Sequence, residues 1–378
     1  MSWLYLFVVF ALLAIHPFLT YPLSLLAIRK ARYRAPARAQ AMPTISIVCC
    51  AYNEAPVIER KLRNLLAIRR RWPGVQVLVY SDGSSDGTAE VIRRHAGEIE
   101  CVVSARRQGK SVGMNTLLAK ATGDIVVFTD ANVELDVEAF GNLARHFSDP
   151  KIGCVCGHLR YVNAGESQAA AAGSLYWRFE EALKRLETDT GSVMGADGSL
   201  FAIRRKLFRK APPDIIDDMH TSLSILCDGY RVVQADDVVA LERSVSSTSE
   251  EFRRKVRISC RAFNCHRLMW PRLSTLSALD LYKYVSHKFL RWVSIYLQAA
   301  SLLCLLAWFA MRGQGGAAVL AVLAAAGLGW ALSQLPPFAA MRKVWEFATA
   351  FVATGMGVWK SLAGERYQTW ATAATARK

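Results

Sequence analysis

Long apolar runs lie near both ends of the chain, and they enclose a middle portion in which short apolar runs alternate with polar stretches. The long runs occupy residues 3–28 and the region after residue 288. A helix of about 20 apolar residues is enough to cross a bilayer. The pattern therefore predicts a water-facing domain between membrane segments.

Within the middle portion, near-continuous apolar runs predict buried strands. These runs lie at residues 44–54, 75–82, 123–132 and 152–161. Unbroken apolar runs that alternate with helical stretches are typical of parallel strands covered on both faces. The pattern predicts an α/β fold with a parallel sheet. Residues 134–147, which follow the third run, have the spacing of a helix.

The N-terminal apolar run predicts an uncleaved membrane anchor. Residues 4–29 are apolar up to Arg29, and the basic residues follow, as far as Arg38. A signal peptide would instead carry its positive charge before the apolar run. Pro17 lies in the middle of the segment, where we expect it to kink the helix.

The C-terminal apolar region predicts two spans and a third segment of open topology. The spans are expected at 289–311 and 316–334, and the third segment at 344–359. If the third segment crosses the membrane, the basic tail ending at Lys378 lies outside, against the positive-inside rule. The alternative is an interfacial or re-entrant helix.

Charge and cysteine content exclude some classes of site. The net charge is +16, and its Lys and Arg residues cluster beside apolar or interfacial stretches, at 29–39, 69–71 and 253–257. Such clusters favour anionic lipid over nucleic acid. The nine cysteines form no recurring CxxC pair, which argues against a zinc site. We interpret them as small apolar residues in a reducing compartment.

Two of the predicted strands end on carboxylates. Asp82 begins the turn SDGSSDG, and TDAN places Asp130 and Asn132 after another strand. Ligands of open α/β sheets bind at the carboxyl ends of the strands. Oxygen ligands suit Mg²⁺ or Mn²⁺, which could neutralise a diphosphate. Taken alone, each motif is explained at least as well by a turn, and for Asp82 the turn is favoured.

Three further features have both a structural and a chemical interpretation. Asp217 and Asp218 precede a predicted helix, either as its cap or as a carboxylate pair that raises one pKa to make a general base. Lys110 follows a glycine in QGKS and could contact a phosphate, although the P-loop spacing is absent. The arginine-rich stretch 253–267 could grip a diphosphate or lie on anionic lipid.

The order of these motifs is more specific than any one of them. AYNE, SDGSSDG, the GK loop, TDAN, GADG, IIDD and RRKVR together resemble the membrane-bound family 2 glycosyltransferases with a GT-A fold. That group contains synthases of poly-N-acetylglucosamine, hyaluronan and cellulose, and glycolipid transferases. The resemblance covers roughly residues 44–270 and implies a Rossmann-like nucleotide-diphospho-sugar transferase domain with N-terminal and C-terminal transmembrane helices.

The resemblance also implies roles for the matching residues. Asp218 would be the catalytic base, with Asp217 beside it, and Asp130 and Asn132 would hold Mg²⁺ or Mn²⁺. Asn132 replaces the second Asp of the family's DxD motif. The other implied sites are nucleotide-sugar binding by Tyr52, Asn53, Glu54, Asp82, Gly83, Lys110 and Asp130, acceptor binding by Gly195, Asp197 and Gly198, and diphosphate binding by Arg254 and Arg257.

The implied organisation has six parts. These are an N-terminal transmembrane anchor (1–29), a basic linker (30–43), the GT-A domain (44–243), amphipathic and interfacial helices (244–288), a C-terminal region of two to three spans (289–360) and a basic tail (361–378).

The implied activity is that of an inverting hexosyltransferase in a bacterial inner membrane, multi-pass, with a cytosolic catalytic domain. It would move a hexose from UDP-GlcNAc or UDP-glucose to a growing exopolysaccharide. One alternative is a single addition to a lipid, favoured because Arg254 and Ile258 replace the Gln and Trp of the family's QxxRW motif. The other is a catalytically weak subunit of a synthase complex, favoured by Asn132 alone. Expected partners are the sugar donor, a polysaccharide or lipid acceptor, membrane lipid and a synthase or export subunit, but not nucleic acid.

Overall fold

The protein, seen in a computed structural model, is built around an eight-stranded sheet. The structure describes residues 2–29, 32–37, 39, 42–162, 168–243, 247–333, 335 and 339–369, so parts of the expected basic linker and tail lie outside the described residues. The strands are β1 (Ile45–Ala51), β2 (Gln76–Asp82), β3 (Glu100–Ser104), β4 (Ile125–Asp130), β5 (Glu134–Leu135), β6 (Ile152–Tyr161), β7 (Leu200–Arg204) and β8 (Arg231–Glu242).

The strand order brings three of the expected site segments to one edge of the sheet. The order is β3-β2-β1-β4-β7-β6-β8-β5. Strand β1 is parallel to both β2 and β4, with Ala51 beside Ser81 and Cys50 beside Asp130. The carboxyl ends of these strands therefore lie together. The predicted α/β class with a largely parallel sheet is confirmed, with β7 antiparallel to both of its neighbours.

Helices of the described residues either cover the two faces of this sheet or form the apolar segments outside it. They are α1 (Ser2–Ile15), α2 (Thr20–Ile28), α3 (Ala55–Arg71), α4 (Thr88–Arg94), α5 (Lys110–Leu118), α6 (Ala139–Phe147), α7 (Gln168–Asp189), α8 (Asp217–Cys227), α9 (Thr248–Leu273), α10 (Ala278–Tyr284), α11 (Leu290–Ala310), α12 (Gly315–Ser333) and α13 (Ala339–Leu362).

Successive residues of the central strands point into two different cores. On β4, Val127 joins the core that contains Leu62 of α3, whereas Phe128 joins the core that contains Leu223 of α8. This alternation, with both faces apolar, explains the unbroken apolar runs in the sequence.

The predicted helix over 134–147 is wrong at its start. Glu134 and Leu135 form strand β5, which pairs antiparallel with Leu241 and Ala240 of β8, and the helix begins only at Ala139. Pairing with a strand that lies about a hundred residues away overrides the local helical spacing. The pairing brings the segment after Asp130 alongside the end of β8.

The expected N-terminal span is not one continuous helix. Helices α1 and α2 meet at 63° across a break that contains Pro17, and together they form a broken span or a re-entrant pair. At 1.5 Å per residue, α1 is about 21 Å long, shorter than a hydrocarbon core of about 30 Å. Helix α1 lies along α11, whose Ser301 donates to the Phe7 carbonyl at 3.1 Å. Helix α2 instead buries Tyr21 and Leu25 against Leu183 of α7.

Two C-terminal helices are long and apolar enough to cross a membrane. One is the continuous helix Ala278–Ala310, which includes α10 and α11, and the other is α12. The third segment, α13, packs instead along α9, where a Cβ on Gly357 would lie 2.5 Å from the Val256 carbonyl oxygen. After α13 the chain returns to the sheet domain, where Arg366 pairs with Asp214 and Gln368 donates to the Gln108 carbonyl.

A buried group of charges joins α7 to the first C-terminal span. We call Glu180, Glu187, His287, Lys288 and Arg291 the anchor cluster. His287 contacts Glu187 at 2.7 Å through Nδ1 and Glu180 at 2.8 Å through Nε2. Carboxylate oxygens only accept, so the imidazolium form of His287 satisfies both contacts. Arg291 pairs with Glu180 at 2.6 Å, so charge as well as apolar packing holds the span to the domain.

Candidate active site

The turns after β1 and β2 hold each other in place. Asn53, at a left-handed φ of 50°, accepts the Ser85 N–H at 2.9 Å through its side chain. The Glu54 N–H donates to the Thr88 hydroxyl at 2.8 Å. The predicted nucleotide segment around Asn53 and Glu54 is therefore held by the neighbouring turn.

Asp82 organises the loop that carries Lys110. Its carboxylate is 4% exposed and accepts the N–H groups of Gln108 at 2.7 Å and Gly109 at 2.8 Å. The loop passes close to Gly83, where a Cβ would lie 2.6 Å from the Arg107 nitrogen. The structure thus places Asp82 beneath the expected nucleotide site as an anchor for this loop.

Arg107 in the same loop covers Tyr52. Its guanidinium lies 3.5 Å from the centre of the Tyr52 ring. Flat cations and nucleobases stack on aromatic faces in the same way. The half-buried ring of Tyr52 therefore offers an aromatic face of the kind that suits a flat ring.

Lys110 draws together the strand-end aspartate and the helix-start aspartates. We call Asp130, Asp217 and Asp218 the acidic centre. The Lys110 ammonium lies 2.7 Å from Asp130 and 3.6 Å from Asp217. A Cβ on Gly198 would lie 3.0 Å from Asp218 Oδ2 and 3.1 Å from Lys110 Nζ. The sequence order predicted these residues as one site, and the structure does bring them together.

Burial and mutual repulsion change the acidity of this centre. Burial raises the pKa of Asp218 to about 6, with a further contribution from Asp217 that Lys110 partly offsets. Burial alone would lower the pKa of Lys110, but the three carboxylates raise it above its ordinary value. A carboxylate with a pKa near 6 is ionised at neutral pH and basic enough to take a proton. Asp218 therefore has the properties of a general base.

The predicted acceptor loop borders this centre. Gly198 is the point at which the loop passes Asp218 and Lys110, and the missing side chain leaves room beside both. Asp197, by contrast, forms an ion pair with the buried Lys184. Gly195 has a φ of +114° and lies beside Lys288 of the anchor cluster. Of the three residues, Gly198 is the one that adjoins the reactive groups.

The donor set beside the acidic centre suits a divalent cation. Asp130 pairs with Lys110 through Oδ1, and its side chain remains 33% exposed. The Asn132 amide donates through Nδ2 to Glu242 at 3.0 Å. Its amide oxygen accepts no hydrogen bond from the described residues. Carboxylate and amide oxygens are ligands that Mg²⁺ and Mn²⁺ prefer, so Asp130 and Asn132 fit a metal.

The arginines of α9 differ in their surroundings. Arg254 pairs with Glu251 at 3.1 Å, and its charge also acts on Glu242. Arg257 lies half-buried on the same helix. Arg261 lies in the arginine-rich stretch but is not among the residues expected at the site; it is buried and donates to the Ile215 carbonyl just before the acidic helix start. The sequence did not predict Glu242 at the site, because its partner Asn132 is 110 residues away in the chain.

A second group of metal-ligating atoms is engaged mostly in protein contacts, although Glu181 Oε1 is buried without a hydrogen-bond partner among the described residues. Ligand atoms of His158, Glu181 and Asp236 lie within 4.8 Å of one another. However, Glu181 accepts from both His158 and Gln234, and Asp236 pairs with Arg185 at 2.7 Å. These contacts account for the cluster as a set of structural pairs.

Comparisons with known proteins agree with this geometry. Residues 46–211 match the family model described as Glycosyl transferase family 2. An N-acetylglucosaminyltransferase from Rhizobium sp. (strain N33) is 23% identical over 216 residues, 53% of this chain and 48% of the relative. A poly-beta-1,6-N-acetyl-D-glucosamine synthase from Staphylococcus aureus (strain COL) is 28% identical over 200 residues, 50% of this chain and 47% of the relative. The chain thus spans about half the length of these curated relatives.

A solved structure extends the likeness beyond the catalytic domain. The mannosyltransferase PcManGT from Pyrobaculum calidifontis, solved with GDP-Man and Mn²⁺, superposes with a TM-score of 0.76 at 23% identity. The superposition covers 96% of this chain and 100% of that one, and at this identity it shows the fold. The predicted GT-A fold is confirmed, and the predicted family is confirmed for residues 46–211, which form a glycosyltransferase family 2 domain.

Proposed function

We propose that the protein is an inverting hexosyltransferase of a bacterial inner membrane, with its catalytic domain on the cytosolic side. It transfers a hexose from UDP-GlcNAc or UDP-glucose to a growing exopolysaccharide. The observation that carries the proposal is the position of Asp218, a carboxylate with a raised pKa that borders the gap left by Gly198. The names of the two curated relatives support the choice of sugar and of acceptor.

In the proposed reaction, Asp218 takes the proton of an acceptor hydroxyl. The hydroxyl oxygen forms a bond to the anomeric carbon as the bond from that carbon to the diphosphate oxygen breaks. The electron pair of the broken bond leaves on the diphosphate. A single displacement inverts the anomeric carbon, so an α-linked donor gives a β-linked product. The contribution of such a base is about 10²- to 10⁴-fold in rate.

Two positive charges are proposed to stabilise the negative charge on the leaving diphosphate. A Mg²⁺ or Mn²⁺ ion held by Asp130 and Asn132 would supply Lewis-acid stabilisation of the diphosphate. Lys110 lies at the same point, 2.7 Å from Asp130, and adds a fixed positive charge. Asp82 holds the Lys110 loop through two backbone hydrogen bonds, so this charge is positioned before the donor arrives.

A lipid acceptor is a second candidate, favoured by a cavity among the apolar helices. The cavity has a volume of about 370 Å³. It is lined mostly by apolar side chains of α1, α11, α13 and the break after α1, among them Phe7, Phe18, Leu302 and Phe351. A cavity of this size fits part of a lipid tail. Transfer of one sugar to a lipid would use the same acidic centre.

The test is donor turnover by the detergent-solubilised chain with a panel of UDP-sugars, GDP-mannose included, and Mn²⁺ or Mg²⁺. We expect metal-dependent UDP release from one UDP-hexose, and products sized by mass spectrometry. A ladder of sugars supports the exopolysaccharide, whereas a single sugar on added lipid supports the second candidate. Turnover of GDP-mannose alone would refute the proposed donor, and no turnover of any donor would refute the activity.

A further inference from the structure

Asn132 can bind a cation through only one end of its amide. The amide oxygen is a ligand for a hard cation, whereas the NH₂ end carries two donors that a cation repels. The two ends are nearly equal in size, so packing alone does not choose between them. A metal site that uses Asn132 therefore needs a partner that fixes the direction of the amide.

Glu242 is placed as that partner. Nδ2 of Asn132 donates to Oε1 of Glu242 at 3.0 Å. A carboxylate accepts hydrogen bonds and donates none, so it holds the NH₂ end and leaves the oxygen end facing away. The Ser199 hydroxyl donates to the other oxygen, Oε2, at 3.1 Å. The carboxylate is thus itself held at both oxygens.

The strand pairing explains why Glu242 lies there. Glu134 of β5 faces Leu241 of β8, which brings the segment just after Asp130 alongside Glu242, the last residue of β8. On the other side, Thr129 of β4 faces Leu200 of β7, so Ser199 lies next to Asp130. Glu242 is therefore tied to both segments that flank Asp130.

We propose that Glu242 is a positioning residue of the metal site, which orients the Asn132 amide so that its oxygen faces the cation together with Asp130. The inference rests on the proposed function, because the cation is the one that would accompany the donor diphosphate. Aspartate has an oxygen at both ends of its carboxylate and would need no such partner. The pair Asn132–Glu242 thus does with two side chains what one aspartate could do alone.

The test is Mn²⁺ affinity, measured by electron paramagnetic resonance of free Mn²⁺ with the solubilised full chain and UDP. Glu242→Leu removes the acceptor, and we expect binding about tenfold weaker, equivalent to about 1.4 kcal/mol. Glu242→Gln keeps an oxygen acceptor and should stay within about threefold of the wild type. The double variant Asn132→Asp with Glu242→Leu should regain the lost affinity, because an aspartate in place of Asn132 needs no orienting partner.

Each contrary result has a distinct meaning. Unchanged affinity in Glu242→Leu, equal losses in Glu242→Gln and Glu242→Leu, or no recovery in the double variant would each overturn the inference. If Glu242→Leu does not fold, Ser199→Ala decides instead: a loss of about threefold is expected because its carboxylate partner is loosened, and no loss overturns the inference. A wild-type chain that binds no Mn²⁺ refutes the proposed metal as well, whereas the other failures leave the proposed function intact.

Discussion

The acidic centre is a partly buried group of charges and the anchor cluster is a largely buried one, and their charge balance is opposite. In the acidic centre, three carboxylates have one direct ion-pair partner among the described residues, Lys110. In the anchor cluster, Glu180 and Glu187 are matched by His287, Lys288 and Arg291. Excess negative charge beside an open gap can bind a cation and take a proton. A matched cluster holds two parts of the fold together.

The carboxyl groups of the two regions also differ in pKa, and this difference follows the difference in charge balance. Burial raises the pKa of Asp218 to about 6. Burial would also raise the pKa of Glu187, but His287, Lys283 and the Tyr21 hydroxyl lower it to about 2. A raised pKa in a carboxylate is typical of a reactive site, and a strongly lowered one is typical of a structural ion pair. Substitutions in the two regions should therefore separate chemistry from stability.

The largest expected effect is on turnover. Asp218→Asn removes the proposed base with little change in shape, so kcat should fall about 10³-fold. Stopped UDP-release assays at saturating donor measure it. Glu187→Gln is the matched control, and its kcat per folded molecule should stay close to that of the wild type. Equal losses of kcat in both variants would contradict the distinction.

The next effect is on stability. Glu187→Gln leaves His287 buried with one of its two carboxylate partners, so the free energy of unfolding should fall by about 3–5 kcal/mol. Chemical unfolding of the solubilised chain, followed by tryptophan fluorescence, measures this change. The exposed control Glu90→Gln should leave the midpoint unchanged.

Stability should also depend on pH through Glu187. Its pKa is lower in the folded state than the ordinary 4.5, so its contribution is complete above pH about 4.5 and is lost as the pH falls towards 2. The loss of stability with falling pH should be absent from Glu187→Gln. Unfolding free energies that fall in parallel with pH in the wild type and in Glu187→Gln would contradict this role of Glu187.

The smallest expected effect is a shift in the pH profile of activity. The proposed base must be ionised, so kcat/KM should fall below pH about 6 as the Asp217–Asp218 pair takes up a proton. Lys110 lowers the pKa of Asp218, so Lys110→Met should move this limb to higher pH. Initial rates between pH 4.5 and 8.5 measure the acid limb in the wild type and in Lys110→Met. The rates of each protein are normalised to its own plateau. A limb that stays in place in Lys110→Met would contradict the role of this charge.

The sequence predicted the strand ends because their signal is local. The apolar runs before Asp82 and Asp130 are buried on both faces, and the order of the motifs links Lys110 to the aspartate pair. The partnership of Asn132 with Glu242 was out of reach, because it depends on β5, a strand of two residues that is too short to show a period. The angle of 63° between α1 and α2 was also not predicted. The apolar composition of residues 4–29 is the same for one straight span as for two angled helices.

The return of the chain after α13 has a practical consequence for observing this protein at work. A spin label or fluorophore on Gln368 would be next to the loop of Gln108, and would report directly on its motion. One on Gln314, in the short connection between α11 and α12, would lie at the far end of both apolar helices. The two positions therefore offer a pair of probes, one beside the loop that precedes Lys110 and one remote from it.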